Sequence, residues 1–249
     1  MKAETALITG ATGLLGQALV RDLLARGYNV LALVRSEEKG LRLCAEMQSD
    51  ELVFEVFDYN GNATELYSLK ERLAPLEICG LVHSARSMEA LDVGNDGVTQ
   101  GDIFLSGLAL EVVFPYQLTM LLAQSSKSLR SVVNVGSMYG IVPPNPSLYD
   151  DGFQSSPIQY GVAKAALHQL TKELAVRLAT SGVRVNAVAF GGVEGRVSDE
   201  FKQRYANFVP SRRMLSVDEI VGPVAFLLSE DSSAVNGHVL VADGGWTVW

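Results

Sequence analysis

Cysteine is scarce in this sequence of 249 residues, which contains only Cys44 and Cys79. Two cysteines have neither the number nor the spacing of a disulfide framework or of a zinc site. We therefore expect no metal site, and two buried, unreactive thiols in a reducing compartment.

Positive charge is also in short supply. The chain has 20 Lys and Arg residues against 28 Asp and Glu residues, a formal net charge of -8, and no run of basic residues. An acidic surface gives the phosphate backbone of a nucleic acid little to bind. We expect no nucleic-acid partner.

Long apolar runs are missing as well. The most apolar stretch, "LSGLALEVVFPYQLTMLLA" (105–123), is interrupted by Glu111 and Pro115 and falls short of the ~20 apolar residues of a membrane span. The first residues, "MKAETALITG", do not resemble a signal peptide. These absences predict a soluble cytoplasmic protein without a membrane partner.

Short β-branched apolar runs alternate with longer helical patterns along the whole chain. Near-continuous apolarity is typical of strands that are covered on both faces of a parallel sheet. The pattern predicts an α/β fold, a single doubly wound Rossmann domain over residues 1–249 with a seven-stranded parallel sheet flanked by helices. Its cofactor half spans about 1–135, and its catalytic and substrate half about 136–249. The predicted strands are 5–9, 29–34, 52–57, 80–85, 131–137, 183–190 and 238–243.

Helix signals support this alternation. Leucines recur at helical spacing between the first two strands, and Gly27 stands where a C-cap glycine belongs. Ser216 and Glu219 form a capping-box signature before the apolar run "IVGPVAFLL". Two stretches, 138–158 and 191–213, are predicted to be irregular, and both follow strands at the edge where open α/β sheets bind ligands.

The stretch "ITGATGLLGQALV" (8–20) places glycines at Gly10, Gly13 and Gly16, between a strand and a helix. In such a turn the first glycine permits the tight bend and the second allows close approach of a pyrophosphate. The third lets the helix pack against the strand. Free N–H groups at the helix N-terminus favour phosphate. The turn therefore predicts a dinucleotide cofactor.

The end of the second strand bears on which dinucleotide is bound. An acidic residue there holds the ribose 2′-hydroxyl of NAD, whereas a basic residue accommodates the 2′-phosphate of NADP. Here Val34 occupies the acidic slot and is followed by Arg35 and Ser36. This order favours NADP over NAD; in the alternative, Arg35 is a solvated loop residue and Glu37 reaches the ribose.

The segment "YGVAK" places Tyr160 and Lys164 four residues apart, on one face of a helix. A tyrosine, with an ordinary pKa of about 10, is a poor acid or base at neutral pH. A nearby ammonium group favours the phenolate and makes proton transfer accessible. By itself this pair is common on helix surfaces and would not indicate a function. Here it accompanies the glycine turn and Ser137, which favours a catalytic role.

Taken together, "TGATGLLG", "NVGS", "YGVAK", "VRVNAVAFGG" and "GHVLVADGGW" resemble the short-chain dehydrogenase/reductase family over residues 5–249. The resemblance implies that Ser137 orients the substrate oxygen and that Tyr160 donates or accepts the proton. Lys164 would assist Tyr160 and hold the nicotinamide ribose. It also implies a homodimer or homotetramer that pairs helices around 103–124 and 158–180. The cofactor-binding residues carried over or inferred are Gly10, Thr12, Gly13, Leu14, Leu15, Arg35, Ser36, Asp58, Tyr59, Ser84, Ala85, Arg86, Tyr160, Lys164, Gly191 and Val193.

Several positions depart from the family pattern. After the fourth strand the family usually has Asn-Asn-Ala-Gly, but this chain has "HSAR", His83 to Arg86. Glu111 aligns with an Asn that extends a proton relay in the family, and it either carries protons as that Asn does or caps local backbone. Phe190 replaces a proline, and Gly195 replaces a threonine that often helps to hold the cofactor. We expect His83 to be structural; Arg86 is either structural or holds an anionic substrate group.

Three functions follow as hypotheses. The first is an NADP-dependent oxidoreductase that interconverts a small-molecule carbonyl and a secondary alcohol. The second is a nucleotide-sugar epimerase or dehydratase, and the third is a weakly catalytic sensor or subunit that binds NADP. The three-and-three glycine spacing and the long Ser137–Tyr160 connection resemble the branch of the family that acts on nucleotide sugars. We therefore expect a polar, sugar-like or cyclic polyol substrate.

Overall fold

Parallel strands form a sheet through the middle of the molecule. The structure is a computed structural model that describes residues 4–59, 63–94, 96–154, 156–195 and 197–248. In this part of the chain seven strands pair in the order β3-β2-β1-β4-β5-β6-β7, which confirms the predicted fold class. The strands are β1 Thr5–Thr9, β2 Asn29–Val34, β3 Leu52–Val56, β4 Ile78–His83, β5 Ser131–Ser137, β6 Arg184–Phe190 and β7 Val239–Ala242.

The strand order reverses at β1. The chain first adds β2 and β3 on one side of β1, then crosses over and adds β4 on the other. Because the strands are parallel, their carboxyl ends meet at one edge, and the loops after β1 and β4 diverge there. This is the switch point at which open α/β sheets bind ligands.

Helices cover both faces of the sheet. One apolar cluster joins the sheet to α1 and α8 through buried Leu19 and Val224. A second cluster on the opposite face joins it to α5 and α6 through Leu118 and Leu174. The helices are α1 Leu14–Ala25, α2 Glu37–Met47, α3 Ala63–Leu73, α4 Gly101–Leu108, α5 Phe114–Ser125, α6 Ile158–Leu178, α7 Asp199–Phe208 and α8 Val221–Leu228.

The predicted helix ends are found in the structure. Gly27 follows the C-cap of α1 with a φ of 85°, a left-handed conformation that favours glycine. The capping box of Ser216 and Glu219 is present, and it opens a short 3-10 turn, Val217–Ile220, that continues into α8.

The prediction of an irregular 191–213 segment is wrong in its middle, where α7 forms. Ser198 caps this helix by accepting a hydrogen bond from the Phe201 N–H. Phe201 and Phe208 lie against the same apolar cluster in which Tyr205 is buried. This helical spacing of aromatics is the signal that the sequence analysis missed. In the 138–158 segment, by contrast, the described residues before α6 (138–154 and 156–157) contain only two short 3-10 turns, Met138–Gly140 and Pro146–Leu148.

The helical stretch Gly101–Ser125 joins α4 to α5 through a π-helical turn, Ala109–Val113. By length and composition alone it could cross a membrane. A core helix of a globular protein passes the same test, and 44% of its most apolar part is buried in the molecule. Glu111, within this stretch, is buried and forms an ion pair with Lys164.

Both cysteines are free thiols. Cys79 is buried at 7% exposure, and burial raises the pKa of its thiol to about 11. Cys44 is half-buried, and burial raises its pKa as well. Both groups are therefore protonated and weakly nucleophilic at neutral pH. The prediction of two buried thiols is correct for Cys79 and wrong for Cys44, which is only half-buried.

Gly16 offers a test of the packing between α1 and the glycine turn. A Cβ at this position would overlap the Gly10 carbonyl oxygen and lie 2.7 Å from the Ala11 Cα. Since both obstacles are backbone, we expect Gly16→Ala to lower the free energy of unfolding by about 2 kcal/mol or more in chemical denaturation. Gly222, in α8, serves as the control, because a Cβ added there would meet nothing within 4 Å. Gly222→Ala should be neutral or stabilise by up to about 1 kcal/mol. Equal effects of the two substitutions would contradict the packing described here.

Candidate active site

The glycine turn after β1 is packed against the end of β4. Gly10 has a φ of 69°, and a Cβ on it would lie 2.6 Å from the Ala85 Cα. The Gly13 N–H donates to the Gly10 carbonyl at 3.0 Å, which closes the turn. Only glycine fits at Gly10, because both its backbone conformation and the space beside it exclude a side chain.

The N-terminus of α1 points out of this turn. Gly13 is the N-cap residue and brings no side chain to cap the helix, and Leu14 and Leu15 form its first turn. The first N–H groups of a helix lack partners within the helix and favour an anion. Thr12, half-buried, and exposed Gly13 border the same space. The turn therefore fits the pyrophosphate of a dinucleotide.

Thr9 connects the two loops at the switch point. It is buried at the end of β1, and its Oγ1 accepts hydrogen bonds from the N–H groups of Ser84 and Ala85, at 3.1 and 3.3 Å. These bonds hold the β4 end beside Gly10. Thr9 was not among the predicted site residues, because no motif in the sequence indicates what its hydroxyl contacts.

The end of β2 lies next to the same turn. Val34 is buried, whereas Arg35 is exposed and Ser36 is the N-cap residue of α2. Glu37 and Glu38 occupy the first turn of α2 and are exposed. The structure thus places one basic and two acidic side chains within four residues of one another at the predicted ribose end.

Tyr59, one of the predicted cofactor-binding residues, has strong contacts of its own. Its ring stacks on Phe114 with centroids 4.6 Å apart, and its hydroxyl donates to the Gln117 Oε1 at 3.0 Å. One face of the ring is therefore occupied by protein. The neighbouring Asp58 is exposed.

The three predicted catalytic residues come from two elements. Ser137 ends β5 and is 7% exposed, and its Oγ accepts a hydrogen bond from the Tyr139 N–H at 3.2 Å. Tyr160 and Lys164 lie one turn apart in α6, and the Lys164 Nζ is 5.6 Å from the centroid of the Tyr160 ring. The adjacent β5 and the start of α6 bring them to the same edge as the glycine turn.

Lys164 is held by two fixed acceptors. Its Nζ donates to the Val135 carbonyl at 2.8 Å and forms an ion pair with the Glu111 Oε2 at 2.9 Å. Both side chains are buried, at 7% and 5% exposure. Glu111 reaches this point from the π-helical turn Ala109–Val113, a type of helix irregularity that is frequent at functional sites.

His83 lies beside this ion pair. Its Nε2 is 3.0 Å from the Thr119 Oγ1, and in the described part of the chain its Nδ1 has no partner. A cavity of about 10 Å³, the size needed for one water molecule, is lined by Thr9, His83, Glu111 and Lys164 among others. Burial lowers the pKa of His83 to about 3, so the ring is neutral at physiological pH.

Arg86 extends from the β4 end toward Tyr160. Its Cζ lies 5.8 Å from the centroid of the Tyr160 ring, and its Nη2 contacts the Met88 Sδ at 3.4 Å. Its side chain is exposed. The structure therefore brings a residue of the predicted cofactor loop into contact with a predicted catalytic residue.

Tyr139 is a further site neighbour that the sequence analysis missed. Its ring meets the Tyr160 ring edge-on, with centroids 6.5 Å apart, and its hydroxyl is 3.3 Å from that of Tyr149. Burial raises the pKa of Tyr139, which therefore stays neutral. Only its position two residues after Ser137 could have indicated this role.

The loop after β6 folds back toward the glycine turn. A Cβ on Gly191 would lie 2.8 Å from the Asp243 Cα, which fixes the start of the loop against β7. Val193 pairs with Leu215 in an isolated bridge. Gly195 approaches Leu14 so closely that a Cβ would lie 2.8 Å from the Leu14 Cδ2. The predicted residues Gly191 and Val193 thus lie on a loop that returns to the N-terminus of α1.

The sequence matches a family model described as enoyl-(acyl carrier protein) reductase over residues 10–247. The chain belongs to the short-chain dehydrogenase/reductase family and is an oxidoreductase of that family, which uses a nicotinamide dinucleotide for carbonyl and alcohol chemistry.

Three similar proteins illustrate the range of the family. The uncharacterized oxidoreductase YmfI of Bacillus subtilis is 32% identical, over 98% of each chain. Galactitol 2-dehydrogenase (L-tagatose-forming) of Cereibacter sphaeroides is 30% identical, over 98% of this chain and 95% of its own. A crystal structure of a short-chain dehydrogenase from Leptospira borgpetersenii, with bound NAD+, superposes with a TM-score of 0.85 at 25% identity. That match covers 99% of this chain and 94% of the other.

His83 makes a prediction about acid stability. Its pKa is about 3 in the folded protein and about 6.5 in an unfolded chain, so the unfolded state binds more protons between these values. The contribution of the neutral His83 ring to the free energy of unfolding is therefore complete above pH ~6.5, and it is lost progressively as the pH falls toward 3. We expect His83→Gln to reduce the stability loss between pH 7 and pH 4.5 by about 2 kcal/mol, measured by chemical denaturation. The control is His238→Gln, because His238 is exposed. An unchanged pH dependence in His83→Gln would show that His83 is not buried in a neutral form.

Proposed function

We propose that this protein is an NADP-dependent oxidoreductase that interconverts a carbonyl and a secondary alcohol at Ser137, Tyr160 and Lys164. The observation that carries the proposal is the position of Lys164. Its ammonium group is held by the Val135 carbonyl and Glu111 within 5.6 Å of the Tyr160 ring centroid, at the sheet edge that carries the glycine turn. We further propose one functional domain, with a cofactor half of about 1–135 and a catalytic half of about 136–249.

Each of the three side chains has a defined task in this proposal. The Ser137 hydroxyl donates a hydrogen bond to the substrate oxygen and orients it. In reduction, the Tyr160 hydroxyl gives its proton to that oxygen, and in oxidation the phenolate takes the proton back. Lys164 donates a hydrogen bond to the Val135 carbonyl and forms an ion pair with Glu111, and a further N–H of its ammonium group would bind the ribose of the cofactor. The bound nicotinamide would supply or accept the hydride.

Arg35 supports the choice of NADP. It is exposed at the end of β2, directly after buried Val34, where an acidic residue would be needed to hold a ribose 2′-hydroxyl. A guanidinium group binds a phosphate through two parallel hydrogen bonds. The neighbouring Glu37 is the residue that would favour NAD instead, and one similar structure does contain bound NAD+.

A polar cleft supports a hydroxylated substrate. A cleft of about 320 Å³ is lined by Tyr149, Asp150, Asp151, Val197, Ser198, Phe201 and Arg204. Tyr149 connects it to the site through Tyr139. Two polar residues of the 138–158 loop are already engaged by protein and so are less available to bind a substrate. Asn145 accepts a hydrogen bond from the Ser147 N–H, and Asp150 forms an ion pair with Arg204. A polyol dehydrogenase among the similar proteins agrees with this substrate class.

A long-chain acyl ketone is the second candidate substrate. Ile141 and Phe153 lie on the same 138–158 loop, and their side chains are 45% and 58% exposed. Exposed apolar residues beside a site favour an apolar ligand. The matching family model is described as an enoyl-(acyl carrier protein) reductase, which agrees with an acyl chain on the substrate but names a C=C bond, not a ketone, as the reduced group.

We also propose that the protein is a cytoplasmic homodimer or homotetramer. Leu105 and Val113 are exposed on the stretch Gly101–Ser125, and Ile158 and Val162 are exposed on α6, with 42–66% of each side chain accessible. Exposed apolar faces of this kind favour contact with a second subunit.

Arg35 provides the test of cofactor choice. We expect Arg35→Ala to weaken NADPH binding at least tenfold and to leave NADH binding nearly unchanged, because only NADPH carries the 2′-phosphate. The dissociation constants of both cofactors should be measured by titration of nucleotide fluorescence. Glu37→Gln is the matched variant. If it weakens NADH binding while Arg35→Ala leaves the ratio of the two constants unchanged, the protein prefers NAD.

The substrate class can be tested with a panel of keto-sugars, polyols, steroids and acyl ketones, assayed with both cofactors. We expect the highest kcat/KM for the hydroxylated compounds, since buried polar contacts discriminate strongly against a substrate that cannot match them.

Tyr160→Phe is the control, and should lose about 10²–10⁴-fold in kcat while still binding cofactor. Preference for apolar ketones would select the acyl candidate. Turnover by Tyr160→Phe within a few-fold of the wild-type rate would remove Tyr160 from the mechanism.

A further inference from the structure

Two cations lie close to the Tyr160 ring. The Lys164 Nζ and the Arg86 Cζ are 5.6 and 5.8 Å from its centroid, both within the range of a cation–π contact. A phenolate spreads its negative charge over the ring, so a cation at the ring stabilises the phenolate more than the neutral phenol. The two cations differ in whether their charge is balanced nearby.

The charge of Lys164 is balanced. Glu111 lies 2.9 Å from its Nζ, and both side chains are almost completely buried. Little water separates or screens the two groups, so they act on their surroundings as a neutral pair. The field that Lys164 exerts at Tyr160 is correspondingly weakened by a negative charge 2.9 Å from its Nζ.

The charge of Arg86 is not balanced in this way. Among the residues that the structure describes, Arg86 forms no ion pair, and the side-chain contact of its guanidinium is with the uncharged Met88 Sδ. It is attached to the end of β4, which two hydrogen bonds to Thr9 hold beside the glycine turn. The guanidinium is therefore the unbalanced positive charge at the Tyr160 ring.

The two positions are also the two charged departures from the family pattern. Glu111 adds a negative charge where the family has an uncharged Asn, and Arg86 adds a positive charge where it has Gly. The added charges are opposite in sign, and Glu111 contacts Lys164 whereas Arg86 contacts the Tyr160 ring. Each offsets the electrostatic effect of the other on Tyr160.

We propose that Arg86 supplies the positive charge that stabilises the Tyr160 phenolate, in compensation for Glu111, which neutralises Lys164. The proposal rests on the proposed role of Tyr160 as proton donor and acceptor. Arg86 is a positioning residue in this scheme, since it acts on the reaction through Tyr160.

Other titratable groups surround the start of α6. Tyr139 and the two buried histidines are uncharged at neutral pH, because burial raises the pKa of Tyr139 and lowers those of His83 and His168 to about 3 and about 4. The carboxylates on the elements that pack around this region are exposed or half-exposed and screened by solvent. They are Glu89, Asp92, Asp96, Asp102, Asp150 and Asp151, and the nearby phenol is Tyr149.

The test is a titration of Tyr160 that needs no substrate. The phenolate absorbs in the near ultraviolet, and the difference between a protein and its Tyr160→Phe counterpart isolates this tyrosine. We expect Arg86→Met to move the midpoint of Tyr160 ionisation upward by about 0.5 to 1 pH unit, and Arg86→Lys to move it less. Glu111→Gln should move it downward, and the double variant should lie between the two. Because Arg86 is exposed, high salt should shift the wild-type midpoint toward that of Arg86→Met.

The matched control is Arg21→Met, an exposed arginine on α1, which should leave the midpoint unchanged. The proposal is overturned if Arg86→Met has no effect on the midpoint, or if Glu111→Gln moves it upward. With a substrate in hand, the pH profile of kcat should shift with the midpoint. A higher KM without a shifted profile would instead make Arg86 a substrate-binding residue. Failure of the proposed function is seen separately, as full turnover by Tyr160→Phe.

Discussion

The buried contact between Lys164 and its two acceptors is the interaction on which the candidate site depends. An ammonium group at 7% exposure requires acceptors, because an unpaired buried charge is strongly destabilising. The Val135 carbonyl and the Glu111 carboxylate meet this requirement from a strand and from a helix that are distant in sequence. They thereby fix α6 against β5 and against the π-helical turn that precedes α5, and so set where Tyr160 stands.

The second constraint is the close approach of the glycine turn and the end of β4. Gly10 and Ala85 are in backbone contact, and Thr9 binds the N–H groups of Ser84 and Ala85. This contact fixes the distance between the predicted phosphate site and Arg86. A cofactor bound along the sheet edge would run from the N-terminus of α1 past Arg86 toward Tyr160, so one arrangement of backbone serves both binding and chemistry.

The π-helical turn explains how a departure from the family pattern is accommodated. It carries Glu111 into the core beside Lys164. A glutamate on the exposed face of a helix would remain in water instead. A buried carboxylate is tolerated here because it has a cationic partner. The same charge weakens the lysine as a source of positive field, which makes the exposed guanidinium of Arg86 relevant to Tyr160.

Much of the fold could be predicted from the sequence, because strands, glycine turns and helix caps are local signals. Strands β1, β2 and β5 have the predicted bounds, and the remaining strands differ by at most two residues at either end. The α7 helix was missed because Gly, Pro and charged residues flank its three aromatics and hide their helical spacing. The candidate catalytic residues Ser137, Tyr160 and Lys164 were likewise predicted from their motifs, and their position at one edge of the sheet follows from the parallel order of the strands.

What the sequence by itself determined was therefore the residue types and their order along a parallel sheet: the glycine turn, the Tyr160–Lys164 spacing and the charges at Arg35, Arg86 and Glu111. Only the tertiary structure decided which of these charges meet. Glu111 pairs with Lys164, 53 positions later, while Arg86 remains unpaired among the described residues and lies over Tyr160. Such pairings depend on how helices from separate parts of the chain pack on the sheet, and electrostatic energies depend on those distances and on burial, which local patterns do not contain.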